Sequence, residues 1–274
     1  MGKYDKYSWG KAPAAIDGKD IRETVTADVI IVGAGLSGVS AALSCVEHGL
    51  ETVLIEKGVR NSARGLHVGA ANSRLLREKG IVNDIDDMTY EWMSATGYRA
   101  KIDLVRLYLK ESEPAMNWIL DKAAAHGMWV KIFGGGYHGK AYKEFVCTHM
   151  FDGGVEGLAK MLLDEAVEKG LDVRYLTPGQ QLVKRDGRVS GVIAKDKDGY
   201  IKLEGRKGVV LSTGDISGSR EMCEDLAPDA LMGMSNINHH APQLTGDGHK
   251  MGVWAGADMQ EAPFPFAIHT MAYS

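Results

Sequence analysis

Between Asp28 and Glu56 an apolar run, three spaced glycines, a helical repeat and a second apolar run end on an acid, and few folds accommodate that order. Val29, Ile30, Ile31 and Val32 have the continuous hydrophobicity of a central parallel strand buried on both faces. Gly33-Ala34-Gly35-x-x-Gly38 follows at once. From Ser37 the apolar positions Val39, Ala42, Leu43 and Val46 recur at helical spacing, Gly49 stops the helix, and Thr52 to Ile55 reads as the next strand. This is a βαβ unit of the dinucleotide-binding kind. Gly33 permits the tight turn, Gly35 lets the backbone approach a pyrophosphate, Gly38 allows close helix packing, and Glu56 can accept hydrogen bonds from a ribose diol. A ligand-free glycine turn has no need of the strand, the helix and the acid together.

The rest of the chain is consistent with such a core. A chain of 274 residues, 45% of them hydrophobic, can bury a substantial interior, and its 34 glycines fall in tight clusters between apolar runs. The formal charge of -4, without a run of Lys and Arg, carries no footprint for nucleic acid or an anionic membrane. Cys45, Cys147 and Cys223 are odd in number and widely spaced, which argues against a disulfide framework or a zinc or haem site and for a reducing compartment. No metal site is expected. No apolar stretch reaches the roughly 18 residues of a membrane span, and Met1 to Asp20 lacks the apolar region of a signal peptide, so a cytoplasmic location is expected.

Residues 1–26 read as an extended leader, with the fold beginning at Asp28. Ser112 and Pro114 look like the start of a helix ending at His126 and Gly127, followed by a strand near Trp129 to Ile132. Leu158, Met161, Leu162 and Ala166 mark a further helix. Val173 to Leu176 offers a strand, and Asp186-Gly187 and Asp198-Gly199 signal two hairpins. They imply a small antiparallel meander whose exit strand, Val209 to Leu211, runs into Thr213-Gly214. The expected fold class is α/β: a Rossmann-like domain with a parallel central sheet and that meander. One fingerprint near the N-terminus, a later meander and no second fingerprint for a nicotinamide favour FAD over NAD.

Four separated motifs carry a resemblance to the flavoprotein family of fumarate reductase, succinate dehydrogenase and 3-ketosteroid dehydrogenase, running from about Thr26 to the last residue. The first is Asp28 to Gly38 with Glu56-Lys57. The second is Ser62 to Asn72, where the resemblance places Arg64, Gly65, Gly69 and Ala70 on a loop around the pyrophosphate and ribityl chain, with Gly69-Ala70 in place of the family's glycine pair. Arg64 is either a phosphate-neutralising cation or an ordinary exposed arginine. The third runs from Gly191 through Thr213-Gly214 to Gly218, with Asp215 where the family has glycine, and Gly179 just upstream at an adenine-binding position. A carboxylate there is unfavourable unless it points to solvent or to a cation. The fourth is Thr245-Gly-Asp247-Gly, in which Asp247 matches a FAD contact, and Phe266 to Thr270 then resembles a segment that puts a substrate-binding role on His269.

By this resemblance residues 27–262 form a FAD-binding domain and residues 263–274 begin a truncated clamp domain, as in an N-terminal fragment. The family's catalytic arginine and last FAD-binding stretch would lie on residues that this chain lacks. His67 does not keep the spacing of covalent flavinylation, so non-covalent FAD is expected. His239-His240 and the Phe133 to Gly139 segment read as solvated turns. The implied activity is a FAD-dependent oxidoreductase that reduces or forms a carbon–carbon double bond beside a carboxylate or ketone. An unsaturated carboxylate or enone would be the substrate, with room for a separate electron donor. Two alternatives stand beside it: a FAD-dependent amine or hydroxy-acid oxidase, and an incomplete FAD-binding module without turnover.

Overall fold

The computed structural model describes residues 3–134, 143, 145–231 and 243–264. In chain order they form β1 (Ile21–Val32), α1 (Leu36–Glu47), β2 (Thr52–Ile55), β3 (His67–Gly69), α2 (Arg74–Glu78), α3 (Ile85–Ala95), α4 (Ile102–Ala125) and β4 (Val130–Phe133). There follow β5 (Thr148–Phe151), α5 (Gly154–Glu168), β6 (Asp172–Arg174), β7 (Gly179–Arg185), β8 (Arg188–Asp196), β9 (Gly199–Leu211), α6 (Arg220–Leu226) and α7 (Asp247–Trp254). Two compact units divide them, one made of Met1–Arg64, Ala159–Asp225 and Met234–Met259, the other of Gly65–Leu158, Leu226–Gly233 and Gln260–Ser274.

The first unit is built on a six-stranded sheet of order β6-β2-β1-β9-β8-β7. β6, β2, β1 and β9 run parallel, and β9-β8-β7 turn antiparallel, so the meander joins the parallel sheet through a strand shared by both. Val29 to Val32 lie between β2 and β9 in continuous register and are all buried, with Ile30 and Ile31 fully so. Their hydrophobicity is unbroken because neither face of this strand meets water. Ile30, Val53, Ile55, Val192, Ile201, Leu203 and Met251 belong to one buried cluster, and burying each such side chain contributes about 1.5–3 kcal/mol.

Several boundaries differ from the sequence reading. β1 begins at Ile21, not Asp28, because residues of the expected leader pair with the start of β9, as in Val25 with Leu203. The expected exit strand at Val209 is the end of a single 13-residue β9. That strand bends where Gly205 meets Gly208, and a Cβ on Gly205 would lie 2.3 Å from the Gly208 carbonyl oxygen. In the first hairpin Asp186 (φ 51°) and Gly187 (φ 79°) occupy the two turn positions as expected. The second turn is Lys197-Asp198, one residue early, because the Asp196 carboxylate accepts the amides of Asp198 and Gly199.

The second unit has a three-stranded antiparallel sheet, β3-β5-β4, and the helices α2 to α4. Asp84 caps α3 by accepting the amides of Asp86 and Asp87, and Met88 and Met93 bury against Val105 and Leu109 of α4. α4 starts at Ile102, a full ten residues before Ser112. Pro114 lies inside it with its ring exposed, and the buried row Val105, Leu109, Ser112, Met116 runs straight past it. Burial on both sides of the proline outweighs the one backbone hydrogen bond that its missing N–H removes.

Candidate functional site

In the first unit β1 ends at the turn that leads into α1. The Gly33 amide donates to the Ile55 carbonyl (2.8 Å) and the Ser212 amide donates to the Val32 carbonyl (2.8 Å), so the three central strands end level with one another. Gly33 has φ 105°, and a Cβ there would lie 2.3 Å from the Ser212 carbonyl oxygen. A Cβ on Gly38 would lie 1.9 Å from the Gly33 carbonyl oxygen. Both are demanded by the protein's own packing. Gly35 is different: its backbone is ordinary extended (φ -76°), and among the described residues a Cβ would find only the Ser62 carbonyl oxygen, at 3.7 Å. It caps α1 without a side chain, so the helix's first amides are left for an outside acceptor.

Glu56, at the end of β2, accepts the Ala34 amide (2.8 Å) on one oxygen and the Gly58 amide (2.7 Å) on the other. This bond to the glycine turn itself was not foreseen from the sequence. Each carboxylate oxygen keeps a second lone pair for a ribose hydroxyl. The neighbouring Lys57 ammonium donates to Asp247 Oδ2 (2.7 Å) and Thr245 Oγ1 (3.0 Å), and the Thr245 hydroxyl donates to Asp247 Oδ1 (2.7 Å). Burial pushes the Asp247 carboxyl up, but its bonds to Lys57 and Thr245 and the nearby positive charge hold it below the usual carboxylate range. Lys57 and Asp247, 190 residues apart in the chain, thus tie β2 to the start of α7.

Thr213 Oγ1 accepts the Gly248 amide (3.0 Å), which joins the end of β9 to the same helix. A cleft of about 370 Å³ opens there, lined by Ser37 of α1, Leu211 to Gly214 at the end of β9, and Gly248 and His249 of α7. Asp215 borders this strand end, and its position answers the difficulty raised by a carboxylate in the glycine's place: it is exposed and accepts from Arg64 Nη2 at 3.0 Å. A pair this open to solvent contributes no more than about 1 kcal/mol. Gly179 begins β7 against Val32 and Met251. The first unit therefore brings together Gly33, Ala34, Gly35, Gly38, Glu56, Lys57, Arg64, Gly179, Thr213, Gly214 and Asp247 from the expected site.

Gly65, Gly69 and Ala70 belong to the second unit. The Gly65 carbonyl accepts the Val155 amide (3.2 Å), the Gly69 carbonyl accepts the Tyr108 hydroxyl (2.9 Å), and the Ala70 amide donates to Cys147 (2.9 Å). Behind them Asn72 and Asn83 exchange hydrogen bonds, and buried Ser73 pairs with His149 Nε2 at 2.8 Å. These bonds hold the small-residue loop in a fixed path. His269 lies outside the described residues, as do His239, His240 and residues 135–139. His249, which the sequence reading passed over, stands two residues after Asp247 in the fourth motif.

Residues 28–272 match the family model described as FAD binding domain. The chain belongs to that family. This FAD-binding domain is 26% identical over 260 residues to a fumarate reductase (cytochrome) of Shewanella frigidimarina, covering 90% of this chain and 43% of the relative. It is 28% identical over 265 residues to a urocanate reductase of Eggerthella lenta, covering 92% and 41%. Its fold is that of a 3-ketosteroid-delta4-(5alpha)-dehydrogenase of Rhodococcus jostii, with a TM-score of 0.73 and 22% identity over 88% of this chain and 56% of that one. The chain thus spans less than half the length of these two curated reductases. The resemblance to fumarate reductases and ketosteroid dehydrogenases holds, and FAD is the cofactor of the family. Among the described residues no helix is long and apolar enough to cross a membrane.

The features of the first unit fit a dinucleotide. An uncapped helix start faces a glycine whose missing side chain nothing among the described residues requires, and Glu56 is positioned beside it.

Proposed function

We propose that this chain is the FAD-binding part of an oxidoreductase that adds or removes hydrogen across a carbon–carbon double bond conjugated to a carboxylate or a ketone. The observation that carries the proposal is the chemistry shared by its relatives' names. Fumarate and urocanate are both carboxylates conjugated to such a bond, and the structurally similar dehydrogenase was solved with 4-androstene-3,17-dione, a conjugated enone. Bound FAD would supply hydride chemistry at its N5.

In this reading the amides at the start of α1 and the bare backbone of Gly35 receive the pyrophosphate, with Gly33, Ala34 and Gly38 shaping the turn. Glu56 orients the ribose, and Gly179 backs the adenine. The Lys57–Asp247 pair, Thr213 and Gly214 border the path toward the flavin. Arg64 balances phosphate charge while shared with Asp215, and His269 holds the substrate carboxylate or carbonyl. Attachment of FAD is non-covalent, and a separate electron donor serves the reaction. A cytoplasmic location accords with three free cysteines.

Anaerobic reduction of the FAD-loaded chain, followed by mixing with fumarate, urocanate or a steroid enone, tests the activity. Return of oxidised flavin absorbance with at least one of these acceptors is expected. Reoxidation only by oxygen, with release of hydrogen peroxide, would point to an oxidase. Tight FAD binding with no reoxidation by any of them would leave a binding module whose turnover needs more protein than this.

A further inference from the structure

His249 borders the cleft with Ser37, Thr213 and Gly214, on the helix that begins with Asp247. Its Nδ1 is shut off from water and, among the described residues, has no hydrogen-bond partner. Native proteins leave few buried polar atoms in that state, and at a residue that lines a ligand cleft the missing partner is most simply the ligand, once the ring turns toward it. A doubly protonated ring would leave a charged donor unmatched, so the imidazole stays neutral on the protein's own atoms. Burial pushes its pKa below the ordinary histidine value, against a smaller pull upward from Asp215.

Among the described residues, the charged groups named beside the ring are mostly matched. At the exit of β9 Asp215 is tied to Arg64, and on the ring's own helix Asp247 is tied to Lys57. Lys250 follows on the same helix, and α1 faces the cleft with Ser37, which does not titrate here. An anion arriving in the cleft would therefore be the largest change in charge that the ring experiences.

We propose that His249 is a cofactor contact that takes up a proton when the pyrophosphate of the dinucleotide enters the cleft. This rests on the placement of FAD proposed above. Opposite charge within a few ångströms favours imidazolium, and a two-fold charged acceptor would turn an unmatched buried ring into a charge-assisted donor. The sign follows from linkage: a ligand that binds the protonated protein better binds more tightly as pH falls.

The test is FAD titration by quenching of flavin fluorescence between pH 6 and 8, beside calorimetry in buffers of different ionisation enthalpy. The wild type should bind about three- to fivefold more tightly at the lower pH, as when a single group holds its proton about ten times more firmly in the complex, and should take up a fraction of a proton near neutral pH. His249→Gln should lose the slope and show no proton uptake, whatever its affinity at the higher pH. Equal slopes in both proteins, or wild-type binding without proton uptake, would overturn the proposal. The wild-type calorimetry decides alone if the variant does not fold. Gly35→Val separates the two readings: if it leaves FAD affinity intact the placement of the cofactor is wrong, whereas loss of binding there with an unchanged slope in His249→Gln removes only the role of His249.

Discussion

Gly35→Val is expected to give a protein that folds almost as well as the wild type and no longer retains FAD. The backbone at this position is extended and within reach of any residue, and among the described residues the only atom near a new Cβ is the Ser62 carbonyl oxygen at 3.7 Å. The penalty is confined to a poorer helix cap, about 1 kcal/mol or less. The ligand sees a different surface. Two methyl groups would stand where the phosphates must approach the amides of α1, and a loss of affinity of a hundredfold or more is expected, about 2.7 kcal/mol. Denaturant unfolding of the apoprotein and a FAD titration give the two halves of the result. Unfolding at much lower denaturant would place the requirement for glycine in the fold itself.

Gly38→Ala is expected to do the reverse. One methyl group at this position would sit 1.9 Å from the Gly33 carbonyl oxygen, a backbone atom on the turn that three strands define. The helix cannot keep its place, so the substitution is expected to destabilise the apoprotein by about 3 kcal/mol or more. FAD is lost as a consequence, and saturating FAD should recover part of the melting temperature because the ligand binds only the folded state. An unchanged melting temperature in Gly38→Ala would contradict the close approach of α1 to β1. The pair of variants thus separates glycines that look alike in the fingerprint.

That separation marks the limit of what the sequence alone conveys. The spacing of Gly33, Gly35 and Gly38 between an apolar run and a helical repeat is local information, and the βαβ unit followed from it directly. So did the meander, because Asp186-Gly187 is a turn with its own conformational preference. The second turn slipped by a residue because Asp196, outside the Asp-Gly pair, sets it by accepting two amides. In α4 a local rule misled: Pro114 reads as a helix start, but the helix is held by burial of Val105 and Leu109 against residues of α3.

Of the sheet of β3, β5 and β4 only β4 was legible, as the strand expected near Trp129 to Ile132. Its strands are three or four residues long, too short for alternation to register, and His67 pairs with Met150 across 83 residues of chain. The candidate site divides in the same way. Glu56 and Asp247 could be named from motifs, but the Lys57–Asp247 pair and the cleft at His249 arise only when β2, β9 and α7 converge. Asp215, a carboxylate in the glycine's place, is balanced by Arg64, a contact that no local pattern in the sequence conveys.

A crystal structure of the FAD complex tests the central placement most directly. The pyrophosphate should lie within hydrogen-bonding distance of the amides at the start of α1, over Gly35, with a ribose hydroxyl on Glu56. Density for the dinucleotide anywhere else, or a protein that stays colourless after incubation with excess FAD, would contradict it.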